Sequence, residues 1–270
     1  DTATSQRGEQ GSTRDAATRE RTKDGERTAD SAGRIEAESR VAQKEQENTE
    51  SQGEKPNIPK TEEAALRDAL IDKLREAGID VITDVEEAQR VLDEANGKGV
   101  SFFRTADGNA YGFTVGGKIY IDPRIATADT PIHEYAHLWA SAMQKLNPKE
   151  WENIVKLMKG TPIWEEVKRN YPELTTDNEI ADEVLAFYSG SRGAERLREE
   201  HAKILKGNGN VVEKVKAINA IKRVREALKH FWKNVADWFG IHFTTAEEVA
   251  DKVLSDLLNG VNPTLAGIED

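Results

Sequence analysis

The chain has 270 residues, enough for one medium-sized domain with additional chain or for two small domains. Its 38 basic and 49 acidic side chains give a net charge of -11, which argues against a general binder of nucleic acid or anionic membranes. It contains no cysteine, which excludes disulfides, thiolate catalysis and cysteine-based zinc sites.

The first 60 residues differ in composition from the rest of the chain. Their only large apolar residues are Ile35, Val41 and Ile58. This is too little apolar surface for a core, so we expect residues 1–60 to be a disordered polar tail or linker. One folded domain is expected over residues 61–263, followed by a C-terminal tail at 264–270. The chain begins with Asp and no apolar segment opens it, so we expect a cytoplasmic piece of a larger polypeptide.

The folded part is predicted to begin with two helices and a short strand between them. Apolar residues recur at helical spacing after Thr61, and Gly78 is expected to end this first helix. The loose apolar alternation over residues 79–82 predicts a short strand. A second amphipathic helix is predicted over residues 84–95.

A strand-rich segment follows these elements. Residues 100–103 predict a strand, and residues 106–109 predict a turn. The next two strands, at 111–115 and 118–121, flank Gly116-Gly117, which indicates a two-residue hairpin.

The rest of the chain is predicted to be almost entirely helical. The predicted helices cover residues 131–146, 149–159, 162–170, 177–189, 193–206, 210–239 and 245–259. We therefore expect a mostly helical α+β domain. The helix at 210–239 has a basic side, which is either a solvated face or a docking surface for a protein or DNA partner.

The segment that carries the chemistry reads His133-Glu134-Tyr135-Ala136-His137. Two histidines four residues apart lie on one face of a helix, so their imidazoles can share a metal ion. Glu134 is placed to reach a metal-bound water and to act as a general base. Asp129 or Thr130 is expected to cap this helix, and Pro131 suits its first turn.

Zinc needs a third protein ligand besides two histidines and keeps one position for water. No histidine follows at the short HExxHxxGxxH spacing, so a carboxylate from a later helix is expected. Thr176 and Glu179 form a predicted capping box for such a helix, which Gly190 is expected to end. Glu179 and Glu183 project from one face of it, so either can bind the metal while the other orients a histidine.

A helix with HExxH followed by a glutamate-bearing helix resembles the gluzincin-type zinc metallopeptidases. In those families the third ligand is often the Glu of an ExxA pattern, which Glu183-Val-Leu-Ala186 matches. Asn178-Glu179 with an acid at Glu183 is similar to the NExxxD arrangement of thermolysin-like enzymes. The resemblance favours Glu183 and keeps Glu179 as the alternative. The separation from His137 is longer than in thermolysin-like enzymes, so residues 149–172 are interpreted as an inserted helical pair.

Several further segments are similar to zincin-like domains in large multidomain proteins of phages and conjugative elements of gut bacteria. They cover residues 119–122, 130–140, 182–190 and 256–263. The resemblance extends over about residues 61–263. It implies a zincin-like fold in which a small sheet or hairpin precedes the helix with the metal ligands.

The resemblance also implies a mechanism. Zn²⁺ would be held by His133, His137 and Glu183, and Glu134 would act as general base in the hydrolysis of a peptide bond. The candidates for a further donor near the oxyanion or around the ligands are Tyr188, Glu179 and His201. The strand at 118–121 is expected to be an edge strand with which an extended peptide substrate pairs.

Three kinds of function remain open from the sequence. The first is a zinc endopeptidase that acts on a protein or peptide. The second is a non-catalytic zincin-like module of a mobile element that binds protein or DNA, as antirestriction-type proteins do. The third is a structural fragment whose histidines match HExxH by chance. An intact Glu134 favours the first, because a binding module does not need that base.

Overall fold

The computed structural model describes residues 60–95, 102–104, 110–205, 212–231 and 235–266. The described helices are α1 Lys60–Glu76, α2 Val85–Ala95, α3 Asp129–Leu146, α4 Pro148–Lys159, α5 Ile163–Asn170, α6 Asp177–Leu205, α7 Glu213–Ala227 and α8 Ala246–Leu258. The described strands are β1 Val81–Ile82, β2 Phe102–Arg104, β3 Ala110–Val115 and β4 Lys118–Ile121. Short 3-10 turns occupy Lys229–Phe231, Val235–Gly240 and Pro263–Leu265. Residues 1–59 of the predicted N-terminal tail and the turn at 106–109 lie outside the described residues.

The four strands form one sheet in the order β1-β4-β3-β2. The predicted hairpin between β3 and β4 is confirmed, with Val115 opposite Lys118. However, the prediction that β4 is an edge strand is wrong. It pairs with β3 on one side and in parallel with β1 on the other, where Val81 lies opposite Ile119. Both of its edges are therefore used within the chain, and a peptide substrate cannot pair with it.

The helices pack around α3, which is buried on almost all sides. Ile132, Tyr135, Trp139 and Met143 of α3 have no exposed surface. The hydroxyl of Tyr135 donates to the carbonyl of Val261, 2.9 Å away, so this buried polar group is satisfied. The α+β prediction is confirmed, with a small sheet and a much larger helical part. Among the described helices, none combines the length and the apolar character that crossing a bilayer requires.

Helix α6 corrects the prediction of two helices at 177–189 and 193–206. It is continuous from Asp177 to Leu205, so Gly190 does not end it. A Cβ at Gly190 would lie 3.2 Å from the carbonyl oxygen of Asp129 and 3.4 Å from Cβ of His133. Glycine at this position thus lets α6 approach α3 closely, next to the first histidine of the HExxH motif.

The start of α3 is stabilised by side chains from two other helices. Its N-cap is Ala128, not Asp129 or Thr130 as predicted, and an alanine side chain accepts no hydrogen bond. Instead the Ala128 amide donates to Glu63 of α1, 2.8 Å away. Arg198 of α6 binds both Glu63 and Asp129, which ties three helices together at this end of α3.

The predicted long helix at 210–239 is interrupted. Helix α7 ends at Ala227, and 3-10 turns follow. Trp238 is fully buried, with its ring centroid 5.0 Å from that of Trp139 on α3. The interrupted chain thus places Trp238 against α3, where burial of the two indole rings stabilises the arrangement. Lys216, on the predicted basic side of α7, is also buried rather than solvated.

A buried ion pair lies between α8 and α3. The ammonium of Lys252, which is fully buried, binds Asp256 one turn later on α8. Asp256 also accepts from the indole N–H of Trp139, 2.8 Å away. The Lys252 ammonium lies 5.5 Å from the ring centroid of Trp238. Both charges therefore depend on each other and on the aromatic pair for their stability in the interior.

We expect Lys252→Met to lower the free energy of unfolding by about 3–5 kcal/mol, because it leaves the Asp256 carboxylate buried without its cation. Urea unfolding at pH 8 measures this. Burial raises the pKa of Asp256 to about 6 despite Lys252, so at pH 8 the carboxyl group of the wild type is ionised. Lys203→Met is the matched control, since the Lys203 side chain is 59% exposed, and its urea midpoint should not move. Equal midpoints for both variants would contradict the coupling of the buried pair.

Candidate metal centre

Three potential metal ligands meet where α6 crosses α3. His133 and His137 project from one face of α3, and Glu183 faces them from α6. The two Nε2 atoms are 3.2 Å apart. The carboxylate of Glu183 lies 3.7 Å from each of them, with Oε1 towards His133 and Oε2 towards His137. His133 and Glu183 are each 1% exposed, whereas the side chain of His137 is 14% exposed, so the cluster reaches solvent on the His137 side.

These distances suit a tetrahedral zinc ion. Zinc binds imidazole nitrogen at 2.0–2.1 Å and carboxylate oxygen at 2.0–2.2 Å, so two of its ligand atoms lie about 3.3 Å apart. The Nε2 separation of 3.2 Å matches this value, and the Glu183 oxygens need to move by only a few tenths of an ångström. Two imidazoles and one carboxylate are also a donor set that zinc commonly uses. The residues present therefore fit the metal that the motif implies.

Asp182 contacts the imidazole of His137 at Nδ1, the ring nitrogen that does not face the cluster. Its Oδ1 lies 3.1 Å from Nδ1 of His137. A carboxylate on the far nitrogen fixes the tautomer and the ring orientation of a metal-binding histidine, because it leaves Nε2 as the coordinating atom. Burial alone lowers the pKa of His137, but Asp182, Glu183 and Glu134 outweigh it and raise this pKa to about 10. Without a metal ion, the imidazole thus carries a proton that a metal must displace.

His133 is fixed differently. Burial lowers its pKa well below the usual value, and the neighbouring His137 lowers it further. His133 is therefore neutral, which is the form of imidazole that binds a metal. Its ring packs edge-on against Phe187 of α6, with centroids 4.9 Å apart, and this contact restricts its orientation.

Glu134, the predicted general base, is held between α3 and β3. Its Oε2 accepts a hydrogen bond from the hydroxyl of Thr114, 2.8 Å away. Among the described residues its buried Oε1 has no hydrogen-bond partner. Burial raises the pKa of Glu134 to about 7 despite His137 and Thr114. One oxygen is thus anchored and the other is available, on a group whose pKa suits proton transfer near neutral pH.

Gly112 on β3 makes room for Glu134. A Cβ at this position would lie 3.0 Å from Oε1 of Glu134 and 2.9 Å from Cγ2 of Thr130. Any larger residue would therefore press on the carboxylate or push α3 away from the sheet. The close approach of β3 and α3 at this glycine is what brings Thr114 within reach of Glu134.

The alternative third ligand, Glu179, is not part of the cluster. Its carboxylate accepts from the backbone amides of Thr175 and Thr176, while Thr176 accepts from the Glu179 amide at 3.2 Å. The predicted capping box is therefore confirmed, and this helix-capping role occupies Glu179. Glu179 lies in the exposed first turn of α6, one turn before Glu183. Of the two glutamates, only Glu183 faces both histidines.

The two other candidates are also engaged elsewhere. The hydroxyl of Tyr188 donates to Glu247 of α8, 2.9 Å away. Five residues on a helix correspond to roughly 500°, so Tyr188 points about 140° around α6 from Glu183. His201 is 18 residues beyond Glu183, which is about 27 Å along the helix. It belongs to a second group with Glu62 and Glu213.

Sequence reasoning missed three residues of the site: Gly112, Thr114 and Asp182. Asp182 could have been found, since a carboxylate next to the expected ligand on the same helix can reach the neighbouring histidine. Gly112 and Thr114 gave no comparable signal, because their role depends on how β3 packs against α3.

Comparison with protein-family models, curated proteins and solved structures found no match for this chain. The interpretation of the cluster therefore depends on its residues and their geometry.

Proposed function

We propose that this chain is a zinc-dependent endopeptidase in which His133, His137 and Glu183 hold the metal and Glu134 is the general base. The observation that carries the proposal is the buried cluster itself. It contains three ligand atoms at zinc-compatible separations and a carboxylate with an available oxygen beside them. If the two histidines matched the motif only by chance, there would be no reason for the buried Glu183 of another helix to face them. Nor would there be a reason for the Asp182 carboxylate to lie at Nδ1 of His137.

A zinc ion held there would supply a Lewis acid that acidifies water and polarises the scissile carbonyl. Glu134 takes the proton from the attacking water through Oε1 and delivers it to the leaving amine. Thr114 holds Oε2 and so fixes the direction of Oε1. Asp182 keeps Nδ1 of His137 protonated, so Nε2 remains the coordinating atom.

The preference for a peptide bond comes from the resemblance to gluzincin-type metallopeptidases. The same resemblance suggests a zincin-like fold and a place in a phage or conjugative element, and both belong to the proposal. Protein or peptide is the proposed substrate class. The open side at His137 and Asp182 is where such a substrate would reach the cluster, since these two side chains are more exposed than the other members.

The zinc content of two isosteric variants tests the proposal. We expect Glu183→Gln to lose one equivalent of zinc, with the affinity of this site lowered by about 100-fold or more, since even residues behind the ligands contribute 10–100-fold. Glu179→Gln is the matched control on the same helix. It should keep the metal, because glutamine also completes a capping box. Elemental analysis and competition with a chelator measure both. A folded wild type with no zinc, or equal losses in the two variants, would refute the proposed centre.

A further inference from the structure

A second cluster of ligand-type side chains lies at the other end of α6. It joins Glu62 in the first turn of α1, His201 near the end of α6 and Glu213 at the start of α7. Each of the three residues offers one ligand atom, and these atoms all lie within 4.8 Å of one another. The cluster therefore connects three helices that are far apart in the sequence.

The polar atoms of this cluster lack partners. His201 is 0% exposed, and within the described residues neither of its ring nitrogens has a hydrogen-bond partner. The same holds for Oε2 of Glu62 and Oε2 of Glu213. Nε2 of His201 lies 3.7 Å from Oε2 of Glu213, which is beyond hydrogen-bond distance. Buried polar groups almost always have a partner, so atoms of this kind facing one another indicate that something binds between them.

The charges in the cluster point to a cation. Two carboxylates face each other, and Lys216, which is buried, compensates only part of their charge. Its ammonium binds Oε1 of Glu213 at 2.8 Å, which leaves Oε2 for another partner. Burial and the Glu213 charge raise the pKa of Glu62 despite Lys216. Burial also lowers the pKa of His201, so its imidazole is neutral and available as a ligand.

We propose that Glu62, His201 and Glu213 form a second metal site that binds a divalent transition-metal ion such as zinc. One imidazole and two carboxylates, without thiolate, form a ligand set for an ion of this class. The ion would satisfy three unpartnered atoms at once and link α1, α6 and α7. We infer a structural role for this ion, because its three ligands come from three helices that it would hold together. This proposal does not rest on the proposed peptidase function.

The test uses the full chain carrying His133→Asn and His137→Asn, which abolish metal binding by the first cluster, formed by His133, His137 and Glu183. In this background we expect about one equivalent of zinc by elemental analysis. Saturating zinc should raise the thermal unfolding midpoint by about 5–10 °C, as expected for an ion at about 100 times its dissociation constant. Adding Glu62→Gln and Glu213→Gln should remove both effects. Glu199→Gln, an exposed glutamate two residues before His201, is the matched control and should change neither.

Lys216→Met separates a metal site from a simple ion cluster. If zinc binds here, removal of a neighbouring positive charge should tighten its binding by at least about fivefold. If Lys216 is instead the cation of the cluster, with a buried water beside His201, the variant lowers stability and zinc does not restore it. That result overturns the proposal. So does a folded background protein that binds no zinc, or one whose zinc persists after Glu62→Gln and Glu213→Gln. Absence of zinc at the first cluster alone would refute only the peptidase proposal.

Discussion

Replacement of Glu134 by glutamine is expected to lower the rate of peptide cleavage by about 10²–10⁴-fold while the bound zinc stays in place. Glutamine preserves the shape of the side chain and can still accept the hydrogen bond from Thr114. It cannot take a proton from water, so only the chemical step is lost. Glu134 is not within the group of potential metal ligands, which is why metal content should not change.

Cleavage of a diverse peptide mixture, read by mass spectrometry, measures this effect on whichever peptide bonds the protein accepts. Zinc content and circular dichroism are measured on the same samples to show that metal and fold are retained. Glu179→Gln serves as the activity control, because its carboxylate only caps α6. If Glu134→Gln cleaves as fast as the wild type, Glu134 is not the base. If the zinc-loaded wild type cleaves nothing, the alternative of a non-catalytic metal-binding module is favoured.

Local sequence signals predicted the parts of the site that lie within one element. The HExxH spacing predicted that His133 and His137 share one face of α3. The two candidate glutamates were likewise limited to one face of α6. The choice between them needed the crossing of α3 and α6, and the structure places Glu183 at that crossing. Glu179 could be assigned to capping because its partner, Thr176, lies only three residues away.

Signals that depend on packing between elements were misread. Gly190 looks like a helix end, because glycine commonly follows the last turn, but here it permits contact between α6 and α3. Strand β4 looks like an edge strand of a hairpin, because its partner on the other side is the two-residue strand β1, whose Val81 precedes the paired Ile119 by 38 residues. The burial of Trp238 against Trp139 likewise connects residues 99 positions apart. Periodicity within one segment carries no information about such contacts.

The apparent zinc affinity of the site formed by His133, His137 and Glu183 is expected to increase about 100-fold between pH 7 and pH 9. Without metal, the carboxylates around His137 raise its pKa to about 10 although burial opposes them. A histidine must be neutral to bind zinc, so over this range each zinc ion displaces one proton, and the apparent affinity rises about tenfold per pH unit. The rise should level off as the pH passes the pKa of about 10. Chelator competition in the Glu62→Gln, Glu213→Gln background isolates this site.

The variant Asp182→Asn tests whether the Asp182 carboxylate orients the His137 ring and sets its protonation. Loss of this carboxylate removes the nearest charge that favours protonated His137, so the pKa falls and the affinity levels off at a lower pH. The plateau affinity should also drop by about 10–100-fold, because the ring is no longer oriented by a carboxylate. Asp177→Asn, at the start of α6 and paired with Lys159 on the surface, is the matched control and should leave the pH profile unchanged. A lower plateau with an unshifted profile would mean that Asp182 orients the His137 ring but that another group sets its protonation.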